Sequence, residues 1–423
     1  MVLDRSKAPE YSIPADFDLL HPKKGKTKTG LPYYYFQTPA IDAVKIEVIG
    51  KSSRHLLPIE LAHVPSFTLQ MIQEGTKDKS DEELAEFFDF HATEVGIHLT
   101  YTQEGFHLLT TKKHLHKVLP VFMTLFSDST FPSAILEKKK NQRKLSLKIE
   151  NEKSSSRAST LFRSGLFGPE HIYGQQTTEE HIDAIHPELL VDYYQNHLWK
   201  DVEIFISGNL DPDGLDQVLS FLEKIPTRQQ AENFSAPKPK TIESTWEDRK
   251  AALQSSLRVG SWSIPKKHPD FLALSVFNTL LGGYFGSRLV KNIREEKGHT
   301  YGISSNLAEL GEFNYWVIGA DVEKQYRELV LEEVKEEIKK LSLESISESE
   351  IEIVRNYLIG QMLSQFSSPF DLVDRFKSVH YSGLALDYFE QKLNFLKRFT
   401  AQDIQEVGRR YFLDQKLIEV VVG

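Results

Sequence analysis

Arg294 and Tyr301, in the run RLVKNIREEKGHTYGISS, stand seven positions apart and bridge a helix end and the start of the next strand. An arginine offers a planar fork of donors, and a tyrosine offers a phenol. Brought together, they are suited to hold a carbonyl oxygen or an oxyanion. By composition alone, the pair is a surface arginine and a packed tyrosine.

Other groupings carry less. The chain contains neither H-E-x-x-H nor H-x-x-E-H. HATEVGIH places His91, Glu94 and His98 at spacings that would share one helix face. Gly96 is expected to end that helix, however, and IHLTYT after it alternates as a strand. His114 and His116, in HLHK, read as a solvated helix start. KKKNQRK, from Lys138 to Lys144, reads as a solvated face of a long helix. LGGYFGSR lacks the strand context and the Lys-Ser/Thr of a phosphate loop. No G-x-S-x-G elbow exists, and with no cysteine in the chain thiolate chemistry and disulfides are excluded.

The elements that must position these residues belong to an ordinary globular chain. Its 423 residues are 40% hydrophobic and 26% charged, long enough for two domains. A net charge of −9 argues against a nucleic-acid partner. The first 26 residues show no apolar signal core, and the longest apolar stretch, VLPVFMTLF, is too short for a bilayer. A cytoplasmic protein without membrane contact is expected.

LPYYYFQTP and AVKIEVIG read as strands. HVPSFTLQMIQEG reads as an amphipathic helix with His63 capping its start. Ser80 with Glu83, and Ser347 with Glu350, have capping-box spacing. HPELLVDYYQNHLWKDVEIFISG closes the first half, and TAQDIQEVGRRYFLDQKLIEVVVG closes the second in the same order. The expected fold is therefore α+β, with two homologous domains, each a mixed or antiparallel sheet covered by helices. Their expected limits are 1–225 and 251–423. The segment between, 226–250, holds Pro226, Pro237 and Pro239 and reads as a linker.

Three long segments carry a resemblance: LGGYFGSRLVKNIREEKGHTYGIS, GPEHIYGQQTTEEHIDAIHPELLVDYYQNHL and VEIFISGNLD. With them the chain resembles the pitrilysin/insulinase family of zinc peptidases, which includes the mitochondrial processing peptidases, over nearly its whole length. In that family an active domain carries H-x-x-E-H, then M-x-x-x-G-T, and a distant glutamate as third zinc ligand. Aligned on Gly75-Thr76, the two histidine positions fall on Ser66 and Gln70, and the base falls on Leu69. The third ligand would fall near Leu145 to Leu147, where no carboxylate stands between Glu137 and Glu150. The resemblance implies a chain without a metal or catalytic residues of its own. Arg294 and Tyr301 match the arginine and tyrosine with which the family holds substrate and polarises the scissile carbonyl.

The resemblance further implies a non-catalytic subunit of a heterodimeric metallopeptidase, inactive alone. Its partner would be a zinc-bearing homologue, and the pair would cleave unfolded peptides. The edge near Gly96 to Thr102 would be where substrate adds as a strand. The alternative is a peptide-binding or structural scaffold, as in the core proteins of the cytochrome bc complex. Self-association into a homodimer when isolated stays open.

Overall fold

In the computed structural model, residues 19–228, 238–240, 244–366 and 368–423 are described. Two sheets form, one from each half. The first contains β1 (Lys23–Lys26), β2 (Pro32–Gln37), β3 (Ala43–Lys51), β4 (Glu94–Leu99), β5 (Gln103–Thr111) and β6 (Lys200–Gly208), in the order β1-β2-β6-β3-β5-β4. The second contains β7 (Thr245–Glu247), β8 (Gln254–Trp262), β9 (Thr300–Leu310), β10 (Phe313–Glu323) and β11 (Ile418–Val422), in the order β7-β11-β8-β10-β9. Without β1, the two orders superimpose strand for strand. In each, one parallel pair (β2 with β6, β7 with β11) is followed by antiparallel pairs. The fold is α+β and internally repeated.

The closing units show the repeat at finer grain. Helix Pro187–Asp192 ends in a π-helical turn, Tyr193–His197, and feeds β6; helix Ala401–Gly408 ends in another, Arg409–Leu413, and feeds β11. A π turn adds one residue to the helical register and is often retained where a side chain must be re-aimed. In the first unit that side chain is Tyr193.

The expected linker is described only in part. Its residues 229–237 and 241–243 lie outside the described residues. Within its expected limits, Thr245–Glu247 forms β7, which pairs with β11 in parallel, Trp246 opposite Val421.

Strand alternation sends side chains to two faces, and both are buried. On β6, Ile204 and Ile206 face the helices of their own half, while Phe205 faces the other way. Helix Pro369–Tyr381 of the second half covers that far face with Val373 and Phe376. The reverse also holds. Helix Ser154–Phe167 of the first half lies on β8 and β11 and packs Leu161, Phe162 and Leu166 against Ile418, Val420 and Val422. Each half thus completes the other's sheet.

Glu47 and Glu203 lie on that same far face of the first sheet. Lys377 pairs with Glu47 at 2.7 Å, both buried, and His380 Nε2 meets Glu203 at 2.9 Å. Among the described residues, no helix is long and apolar enough to cross a membrane.

Candidate functional site

Helix Val64–Ile72 starts with a proline in its first turn, which suits Pro65 because the missing N–H has no helical partner there. Phe67, Leu69, Met71 and Ile72 face the core. His63 occupies the N-cap position, yet its side chain makes no capping bond, contrary to expectation. Its Nε2 instead shares a 2.9 Å hydrogen bond with Thr177 Oγ1. Ser66 and Gln70, one turn apart, share the outer face, and Gln70 Nε2 donates to Ser66 Oγ at 3.2 Å. Leu69 is 0% exposed. On helix Ser133–Glu152, Leu145 is exposed and Leu147 is buried in the core. Ser66, Leu69, Gln70, Leu145 and Leu147 offer no imidazole, carboxylate or thiolate at the expected ligand positions, so these residues do not fit zinc.

His91, Glu94 and His98 are not brought together. The helix carrying His91 ends at Phe90 rather than at Gly96, and β4 begins at Glu94. Ala92, at φ +48°, makes the turn between them. His91 Nδ1 bonds the carbonyl of Phe87 at 2.8 Å, Glu94 meets His107 at 3.4 Å, and His98 meets Gln103 at 3.1 Å. Gly96 is not a helix stop: the His107 ring lies over it, and a Cβ there would come within 2.1 Å of that ring. Among the described residues, no group of three His, Asp or Glu converges to hold a metal.

β4 is the last strand of the first sheet, so one side of its backbone has no strand partner among the described residues. Ile97 and Leu99 on it are partly exposed. The expected edge is therefore present over Glu94–Leu99, with Thr100 to Thr102 in the turn to β5.

Arg294 lies in a π-helical turn, Val290–Glu296, and Tyr301 near the start of β9, the edge strand of the second sheet. Gly298, at φ +67°, turns the chain between them, and His299 N donates to the carbonyl of Ile293 at 3.0 Å. Neighbouring polar residues are tied down. Arg288 grips Glu350 through two bonds of 2.9 Å, Asn292 bonds Glu333 and Glu337, and Lys297 pairs with Glu333. Arg294 is not: its guanidinium lies 4.7 Å over the ring of Phe285, itself 65% exposed. Tyr301 is 89% exposed. Neither residue lines the pocket beside helix Val64–Ile72 or the cleft between the halves.

That pocket, about 290 Å³, holds what sequence reasoning missed. Arg54 reaches it from the turn after β3, Arg143 from helix Ser133–Glu152, and Arg163 from helix Ser154–Phe167. Burial, then the charges of Arg54 and Arg143, push the His63 imidazole down to about 4. These arginines lie far apart in sequence, on elements of different kinds, so no local pattern announced them.

The loop that presents Arg54 is anchored by Glu104 on β5. Tyr193 Oη donates to both its oxygens at 2.8 and 2.9 Å, and Ser52 Oγ donates at 3.1 Å. Ser53 N donates in turn to Tyr193 Oη at 3.2 Å. Burial raises the Glu104 carboxyl to about 7, against the lowering effect of these bonds.

Residues 184–358 match the family model described as "Peptidase M16 inactive domain". An "Uncharacterized zinc protease YmxG" of Bacillus subtilis is 24% identical over 349 residues, covering 82% of this chain and 85% of that protein. A "Non-peptidase homolog YmxG" of Helicobacter pylori is 20% identical over 391 residues, covering 86% and 89%. A solved peptidase M16 inactive domain from Pseudomonas fluorescens has a TM-score of 0.82 at 19% identity, covering 96% of this chain and 98% of that one. That likeness concerns the fold. The relatives' names divide between protease and non-peptidase.

Proposed function

We propose that this chain, an inactive member of the M16 (pitrilysin/insulinase) peptidase family, works as the non-catalytic subunit of a heterodimeric zinc peptidase acting on unfolded peptides. One observation carries the reading. Tyr301 is exposed, Arg294 is half-buried with its guanidinium over the Phe285 ring, and neither makes a hydrogen bond or ion pair among the described residues, while Arg288, Asn292 and Lys297 beside them are bonded to glutamates. Two donors without an acceptor among the described residues, carried on a π turn and a strand edge, are suited to bond a group outside this chain.

Zinc and the water-activating base belong, in this reading, to the partner. The contribution of this chain is electrostatic. The Arg294 guanidinium and the Tyr301 phenol donate hydrogen bonds to the scissile carbonyl as its oxygen gains charge. Because neither side chain lines the pocket beside helix Val64–Ile72, the pair has no reacting centre within its own chain to serve.

The test is peptide hydrolysis by this chain purified together with a zinc-bearing homologue. Arg294→Ala and Tyr301→Phe should each lower kcat by roughly 100-fold, as removal of one oxyanion donor does. The complex itself should survive, as gel filtration will report. Unchanged rates in an intact complex would leave the chain as a scaffold.

A further inference from the structure

We infer that the pocket beside helix Val64–Ile72 is an oxyanion site, in which Arg54, Arg143 and Arg163 receive the free C-terminal carboxylate of an extended peptide. The inference goes beyond a role in trans, because the site lies wholly within this chain.

The pocket is built for negative charge. Three guanidinium groups from three elements line it, and no aspartate or glutamate does. Arg143 alone has an ion-pair partner, Glu150 at 2.8 Å, which stands outside the lining. Arg163 makes no hydrogen bond or ion pair among the described residues. Arg54 is the most enclosed. Its guanidinium lies 4.7 Å over the Tyr101 ring, its Nε is buried without an acceptor, and burial lowers its pKa. Gln175, also in the lining, has both amide atoms buried and unpartnered.

Buried donors without acceptors are rare and costly, and like charges gathered in a half-closed space raise that cost. Water satisfies a donor but neutralises nothing. A carboxylate does both, since its two oxygens match the guanidinium fork and leave lone pairs for the Gln175 amide.

The surroundings choose the carrier of that carboxylate. Leu99, the last residue of β4, lines the pocket together with Pro65 and Ile172. The site therefore opens at the end of an unpaired strand edge, whose backbone groups accept an extended peptide. Inorganic phosphate shares the oxyanion chemistry but uses none of the edge.

The experiment titrates the isolated full chain with an unstructured hexapeptide as free acid, with the same peptide amidated at its C-terminus, and with inorganic phosphate. The free acid should bind about tenfold or more tightly than the amide, the usual scale for a hydrogen bond to a charged group. Arg143→Gln with Arg163→Gln should remove most of that preference. Both residues are only half-buried, so the variant folds even if Arg54→Gln does not. The bound anion should also raise the His63 titration from its low position, read by NMR of the imidazole; a merely structural arginine cluster would leave it unmoved. Equal binding of acid and amide, or a preference that survives the double variant, overturns the site. Binding of phosphate without discrimination between the peptides overturns the C-terminal carboxylate as its ligand. None of these outcomes depends on a zinc-bearing partner.

Discussion

Gln70 and Ser66 hydrogen-bond each other across one helical turn, at 3.2 Å, in the two positions that alignment on Gly75-Thr76 gives to the histidines of a zinc motif. Beside them the walls are cationic, and behind them Leu69 belongs to the core. A zinc site here would therefore need more than three substitutions.

Restoring the motif should fail for that reason. Ser66→His, Leu69→Glu and Gln70→His together should yield a chain that loses zinc on dialysis, because no third carboxylate is supplied and Arg54, Arg143 and Arg163 repel a cation. Glu at position 69 should also destabilise the fold by about 3 kcal/mol or more, the scale of an unpaired buried charge. Elemental analysis and chemical denaturation measure the two effects. Stoichiometric zinc retained after dialysis contradicts the prediction.

Glu104 gives the chain a stability that falls as pH rises. Its carboxyl titrates near 4.5 when exposed and near 7 when folded. Between those values the folded state holds a proton that the unfolded state has lost, so stability declines through this window and is level above it. The contribution is at most about 3 kcal/mol. Glu104→Gln removes the decline, and denaturation of both proteins at pH 4.5 and pH 8 should show the difference between them changing by that order. An unchanged difference means that Glu104 is ionised in the fold at neutral pH.

Lys377 and Glu47 join the halves through a buried ion pair of 2.7 Å, with Lys45 at 3.3 Å and Asp374 at 2.7 Å alongside. Lys377→Met should cost up to about 3 kcal/mol because it leaves the Glu47 carboxylate with Lys45 as its one remaining cation, whereas Lys377→Met with Glu47→Leu should recover most of that loss. The double-mutant cycle separates the two cases. Equal losses in the single and double variants would show that the lysine acts by filling space.

Much of the fold was legible because it is written in local signals. The matched closing segments place β6 and β11. Ser80 and Glu83 form the full reciprocal capping box expected of them. Ser347 and Glu350 form only half of one: Ser347 accepts from the Glu350 N–H, but Arg288 takes the Glu350 carboxylate. The exchanged helices were not legible. Helix Ser154–Phe167 carries the same apolar periodicity whichever sheet it covers. The arginine pocket was hidden for a related reason, since its three guanidinium groups converge only once that helix lies beside helix Ser133–Glu152.

The exchange of helices also orders events in time. As the chain is synthesised from its amino terminus, Phe36, Ile49 and Phe205 have no cover until the helix that ends at Tyr381 has emerged. The greater part of the molecule is made while the far face of its first sheet stays open to water and to other chains. A nascent protein of this design depends on its last third for protection of its first half, so premature termination anywhere before that helix leaves an aggregating fragment rather than a smaller working domain.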